Sequence, residues 1–210
     1  MARPDASAER TRQLLDAAVT VFARLGLHQA RIEDIAAEAG LSKGLVYRYF
    51  ANKDALIVAL VEDFYGEALA HLRAVGDTDG PSAALLARLT DRLGVTVERM
   101  APLLPVTFEF YAAALRRADV GSILRQYYAD YRAITQAVIQ RGIDRGEFRA
   151  QSAAKAADAL IALYEGTIVL WAVDQDGTPW VERAQAAVTV ALDGLRVEGS
   201  ALRSPDGKSE

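Results

Sequence analysis

The chain has 210 residues, 51% hydrophobic and 25% charged, which is the make-up of a soluble globular protein with a full core in one to two domains. It has no cysteine, which excludes a disulfide framework, a Cys-based metal site and a Cys nucleophile, and makes a reducing, cytoplasmic setting the expected one. A net charge of −4 argues against a general nucleic-acid coat, yet residues 1 to 53 carry eight Lys and Arg against six Asp and Glu while the rest carries sixteen against twenty-two, a basic module on an acidic body.

In chain order, Leu14, Leu15, Ala18, Val21, Phe22 and Leu25 form the stripe of an amphipathic helix that Gly26 ends. A shorter helix over residues 31 to 39 turns Ile32, Ile35, Ala36 and Ala39 inward and closes at Gly40. Residues 40 to 50, GLSKGLVYRYF, then read as a turn and a capped helix, with Ser42 as N-cap and Leu41 and Val46 as a hydrophobic staple. On a helical wheel Val46, Tyr49 and Phe50 share the inward side, leaving Gly44, Leu45, Tyr47 and Arg48 on the outward one. Two short helices joined by a glycine-containing turn are the helix-turn-helix signature, whose second helix enters a major groove.

Lys43 stands at the first position of that helix and Lys53, behind an Asn52 N-cap, at the first position of the next. Both add positive charge where the dipole is already positive, a mismatch that a phosphate would resolve. The fourth helix runs to about Val75 and stops in the loop from Gly76 to Pro81. Further helices are expected over residues 81–100, 102–117, 120–145, 152–174 and 179–197, giving an all-α chain of about nine helices with a polar, disordered tail at 199–210.

The initial amphipathic helix, RIEDIAAEAGLSKGLVYRYF and the NKDAL that opens the fourth helix together resemble the tetracycline-repressor (TetR) family of bacterial transcription regulators. The resemblance implies a helix-turn-helix DNA-binding domain at 1–52 and a ligand-binding and dimerisation domain at 53–198. It places Ser42, Lys43, Gly44, Leu45 and Arg48 at bases or flanking phosphates of an operator, with Tyr47, Tyr49 and Lys53 on the phosphate backbone. Two departures from the family pattern bear on operator sequence. Arg31 stands where threonine is usual, exchanging a helix cap for a guanidinium that reaches a phosphate. Leu45 replaces a small hydroxyl residue and offers a thymine methyl an apolar contact.

In the body, Phe108, Tyr111, Tyr127, Tyr128 and Tyr131 would suit a largely apolar pocket with a few polar handles. The resemblance adds a small-molecule effector there, to which Tyr164 also belongs; Glu109 and Glu165 are the carboxylates expected to be buried and able to meet a cationic ligand. Ala159, Ala162, Gly166, Ala184, Ala187, Val188, Ala191 and Leu195 form a small-residue surface on the last two helices that would let two copies pack as a four-helix bundle.

The function expected is a homodimeric, ligand-responsive regulator, a repressor by resemblance, on a double-stranded palindromic operator. The alternative is a protein of the same fold controlled by a protein partner, without a small-molecule inducer. An enzyme is not expected, since no Walker, H-E-x-x-H, G-x-S-x-G or dinucleotide fingerprint is present. No cofactor or metal is expected; Glu67 and His71, an i, i+4 pair, read better as a surface pair than as metal ligands. Nor is a membrane segment or signal peptide: residues 1 to 7 are polar and the apolar run at 159–173 contains Glu165 and is too short to span a bilayer.

Overall fold

The computed structural model describes residues 6–99, 101, 104–174 and 177–196. Nine helices are present among them: α1 Ala6–Gln29, α2 Ile32–Glu38, α3 Lys43–Tyr49, α4 Lys53–Gly76, α5 Ser82–Arg99, α6 Leu104–Ala114, α7 Ala118–Asp144, α8 Ala153–Asp174 and α9 Trp180–Leu195. No strand occurs among the described residues, only an isolated bridge between Phe148 and Arg196. The all-α expectation holds with helix ends within a few residues; the tail at 199–210 lies outside the described residues.

By packing, the chain divides into two compact units. The first takes residues 1–70 and 96–130, the second residues 71–95 and 131–210. The three N-terminal helices therefore share a unit with α6 and the first half of α7, a grouping that the division at 52/53 does not anticipate.

In the first unit α1 buries Leu14, Leu15, Ala18, Val21 and Phe22, and packs on α2 and α6. Its regular helix breaks where the stripe predicts, at Gly26, whose φ of 75° and ψ of 165° lie outside helical space. Such a φ favours glycine because a Cβ would clash with the backbone. At the break the Leu27 amide and the carbonyls of Leu27, His28 and Ala30 are met by side chains from elsewhere in the unit, as described below.

Helix α2 closes with Gly40 at φ 65°, Leu41 N donating to Ala36 O at 2.8 Å and Gly40 N to Ala37 O at 3.1 Å. This is the paired-bond Schellman ending. Gln13 Nε2 donates to the Ala39 carbonyl at 2.8 Å, tying the end of α2 to α1.

In the second unit α8 packs on α9 around a fully buried Trp180. Trp180 Nε1 donates to Thr167 Oγ1 at 3.1 Å, and that hydroxyl donates to Tyr164 O at 2.7 Å, so the indole is both buried and satisfied. Glu147 Oε2 accepts the Ser82 amide at 2.6 Å, capping the start of α5.

Candidate nucleic-acid interface and effector cavity

Helices α3 and α4 are each capped at their start. Ser42 Oγ accepts the Leu45 amide at 3.2 Å, and Asn52 Oδ1 accepts the Ala55 amide at 2.8 Å at the start of α4; both caps stand where the sequence places them. Val46 and Phe50 are buried, which fixes the rotation of the helix. Gly44, Tyr47 and Arg48 are then exposed, Tyr47 at 45%, while Tyr49 and Leu45 are half-buried. Leu45 is thus less exposed than the wheel implies.

Three cations behave differently from expectation or from one another. Lys43 Nζ donates to Glu33 Oε1 at 2.5 Å, with its ammonium 5.7 Å from the Tyr47 ring centroid. The charge mismatch at the start of α3 is therefore answered within the chain, by an acidic residue of the neighbouring helix. That hydrogen bond and the opposite charge hold the Glu33 carboxyl below the ordinary range and the Lys43 ammonium above it.

Lys53 does not add an open charge to an anion surface. Its Nζ donates to the carbonyls of Leu27 at 2.8 Å, His28 at 3.3 Å and Ala30 at 3.1 Å, the orphan acceptors at the broken end of α1. A cation at a helix C-terminus is where the dipole wants it, so the ammonium serves α1. Arg31 follows expectation more closely: no side-chain cap forms at the start of α2, its guanidinium is exposed, and Asp34 Oδ2 accepts its amide at 2.9 Å.

The aromatic and acidic residues expected around an effector fall into two groups, one in each unit. In the first unit Tyr111 and Tyr128 share a hydroxyl hydrogen bond of 2.8 Å, and the Phe108 ring lies 6.4 Å from that of Tyr111. Tyr127 is buried between Tyr128 at 5.1 Å and Tyr65 at 4.5 Å. Tyr65 belongs to this chain of rings, but inside the apolar pattern of α4 it reads as ordinary core.

Glu109, expected to face a cationic ligand, instead accepts the Leu27 amide through Oε2 at 2.8 Å, and its Oε1 stands against Gly26. It fills, from α6, the gap that the α1 break opens. In the same unit Arg117 Nη1 donates to Asp54 Oδ1 at 2.6 Å and Nη2 to Asp119 Oδ2 at 2.7 Å, joining the α6–α7 turn to the start of α4. The Arg117 hydrogen bond brings the Asp119 carboxyl down to about 2 and lifts the guanidinium further.

In the second unit Tyr131 and Tyr164 line an interior cavity of about 30 Å³. Burial, and then the charge of Glu165, push the Tyr131 phenol far up. Thr90 and Thr135 lie on the same wall. Thr90 Oγ1 donates to Leu86 O at 3.2 Å, whereas Thr135 Oγ1 is buried with no partner in the structure. Leaving such a hydroxyl unmet costs about 1 to 3 kcal/mol. Nothing in the periodicity of α7 singles Thr135 out.

Of the small-residue surface, Ala159 and Ala162 are exposed, and Gly166, Ala187 and Ala191 are half-buried. Ala184, Val188 and Leu195 are buried inside their own chain and are therefore core positions of the second unit, because α9 turns that stripe toward it. The exposed apolar face carries larger residues that small-residue spacing overlooks: Val169, Leu170 at 57%, Val173 at 74% and Val190 at 73%. By length and composition α8 is apolar enough to cross a membrane, with only 33% of that window buried. Among the described residues no three His, Asp or Glu side chains gather as a metal cage requires.

Comparison with known proteins assigns this arrangement. Residues 14–60 match the family model of bacterial regulatory proteins of the tetR family, and residues 81–197 that of the BetI-type transcriptional repressor C-terminal domain. The HTH-type transcriptional regulator YfiR of Bacillus subtilis is 30% identical over 67% of this chain and 69% of its own. The fatty acid metabolism regulator protein of the same organism is 28% identical over 89% of this chain and 91% of its own. A TetR transcription regulator from Haloarcula marismortui superposes with a TM-score of 0.81 at 25% identity, covering 90% of this chain and all 100% of that one. The chain belongs to the TetR family of bacterial transcriptional regulators, with a helix-turn-helix at its N-terminus and a body of BetI type.

Proposed function

We propose that this TetR-family protein is a dimeric, effector-responsive repressor that reads a palindromic operator through α3 and leaves it when a small, largely apolar molecule enters the body. The observation that carries the reading is the outward face of α3. A helix seven residues long, capped by Ser42 and fixed in rotation by buried Val46 and Phe50, presents Lys43, Gly44, Tyr47 and Arg48 together. Gly44 lets the backbone come close to a groove wall, Arg48 suits a guanine edge or a phosphate, and the half-buried Leu45 meets a thymine methyl. Arg31 and Tyr49 take flanking phosphates.

Dimerisation follows from the apolar face of α8 and α9. Val169, Leu170, Val173 and Val190 carry a cost in water that a second copy removes, and two helix-turn-helix motifs then address half-sites about 34 to 36 Å apart. On this reading the face meets protein and not lipid. Support for an apolar effector comes from the largely aliphatic lining of the cavity beside Tyr131 and Tyr164. The response passes to the reading helices through elements of the first unit, where Glu109 joins α6 to α1 and Arg117 joins the α6–α7 turn to α4.

The test is selection of binding sites from random duplex DNA by the purified chain, followed by affinity measurements across a salt series. Palindromic sites and a steep negative dependence on salt are expected. Enrichment of no palindrome, or affinity indifferent to salt, overturns the reading.

A further inference from the structure

The small cavity beside Tyr131 in the second unit, distinct from a wider surface pocket lined by Arg149 and Lys155, specifies more about its occupant than its size does. Leu86, Leu89, Leu93, Leu160, Ile161 and Val188 make its aliphatic wall. Thr135 projects into it from α7, 3% exposed, its Oγ1 without a hydrogen-bond partner in the structure. A hydroxyl so deeply buried is met in nature by a water or by a ligand atom. The charge pattern then restricts what that ligand is. Among the described residues lining the cavity none is charged, and the charge that acts on Tyr131 of its wall is the negative one of Glu165. A carboxylate or phosphate entering here would give up its hydration for no counter-charge and meet repulsion. An uncharged oxygen loses far less.

We propose that the effector is an uncharged aliphatic molecule bearing a hydroxyl or carbonyl, held by a hydrogen bond between that oxygen and Thr135 Oγ1 with its carbon chain against the leucine wall. Fatty carboxylates and phosphorylated acyl carriers are excluded from this cavity by the same chemistry. A space of about 30 Å³ holds on the order of two waters, so the part of the ligand that reaches Thr135 is narrow: an alcohol or ketone end, with any longer chain parting the side chains around it. Thr135→Val keeps the shape and removes the hydroxyl; Thr135→Ser keeps the hydroxyl.

This inference rests on the reading of the body as an effector domain, and its experiment separates the two. The full-length protein is titrated by calorimetry and thermal melting with n-butanol, n-hexanol and n-octanol, and with the carboxylates and alkylammonium ions of the same chain lengths. At least one alcohol should bind, its affinity falling roughly three- to tenfold in Thr135→Val, the loss of one neutral hydrogen bond, and persisting in Thr135→Ser. The carboxylates should leave the melt unchanged.

The proposal is overturned by any of four results: equal alcohol binding in Thr135→Val, a carboxylate or alkylammonium that binds better than its alcohol, no alcohol that binds at all, or a liganded structure with only water on Thr135. Palindrome-selective DNA binding of the wild-type chain is measured beside these titrations. Its absence defeats the regulator reading itself, whereas its presence with no alcohol response defeats only the assignment of the ligand.

Discussion

Glu109 Oε2 accepts the Leu27 amide at 2.8 Å across 82 residues of sequence, joining the middle of α6 to the broken end of α1. Hydrogen bonds to charged groups contribute about 1.5 to 3 kcal/mol. Glu109 is half-buried, so the lower part of that range applies. Glu109→Ala should lower Tm by about 2 to 6 °C, and Glu109→Gln, whose amide oxygen still accepts, should recover most of it. Melting followed by circular dichroism decides, and an unchanged Tm in the alanine variant would remove Glu109 from any structural role.

Lys53 makes the complementary claim. Because its ammonium caps three carbonyls of the α1 end, Lys53→Met should cost about 1 to 2 kcal/mol of stability. The slope of DNA affinity against salt should hardly change. If the variant melts like wild type while that slope drops by about one, the ammonium is a phosphate ligand after all.

If α3 reads DNA as proposed, Glu33 competes with phosphate for Lys43, to which it is hydrogen-bonded. Replacing it by Gln should tighten binding to duplex DNA at low salt by roughly two- to fivefold and reduce the preference for the operator, since the released lysine meets any phosphate. Competition binding with operator and random duplexes measures both. Weaker binding to random DNA would show that the pair orients Lys43 and does not restrain it.

The carboxyl of Asp119 is held to about 2 against an unfolded value of 3.8, chiefly by its hydrogen bond with Arg117. A depressed carboxyl stabilises the fold fully above its unfolded value, and the contribution disappears as pH falls through the folded value. Wild type should therefore lose stability relative to Asp119→Asn as pH is lowered between 3.8 and about 2, and keep a constant difference above that window. Denaturant titrations at a series of acid pH values would reveal a parallel pair of curves if the premise is mistaken.

For the apolar face, Leu170→Glu places a charge on an exposed position of α8. Sedimentation should show monomers with undiminished helix content, and operator affinity should fall at least tenfold as the paired half-site contact is lost. A stable dimer in this variant would move the interface elsewhere.

Local chemistry made the N-terminal half readable. The Ser42 and Asn52 caps, the Gly40 ending and the inward Val46 each depend on residues within a turn or two, and each stands in the structure where spacing puts it. The behaviour of Lys53 and Glu109 was illegible because their partners lie 23 to 26 and 82 residues away, and spacing carries no information about such meetings. In the last two helices apolar residues occur all round α8, so periodicity could not say which face the chain covers for itself. The small residues attracted attention there, although Val169, Leu170 and Val173 hold the exposed area. Thr135 shows a third kind of silence: a threonine on a helix looks the same in sequence whether or not its hydroxyl has company.

The break in α1 at Gly26 is gripped with opposite charges, Glu109 on its amide side and Lys53 on its carbonyl side. Neither grip touches a side chain of the segment; both hold bare backbone. The exposed residues 28 and 29 can therefore change identity without loosening the joint, whereas Leu27 is buried and Gly26 is fixed, since any Cβ there would be strained by its φ of 75° and would stand 3.2 Å from Glu109 Oε1. The joint is thus held from outside the helix it belongs to, by side chains of residues 53 and 109 acting on main-chain atoms alone.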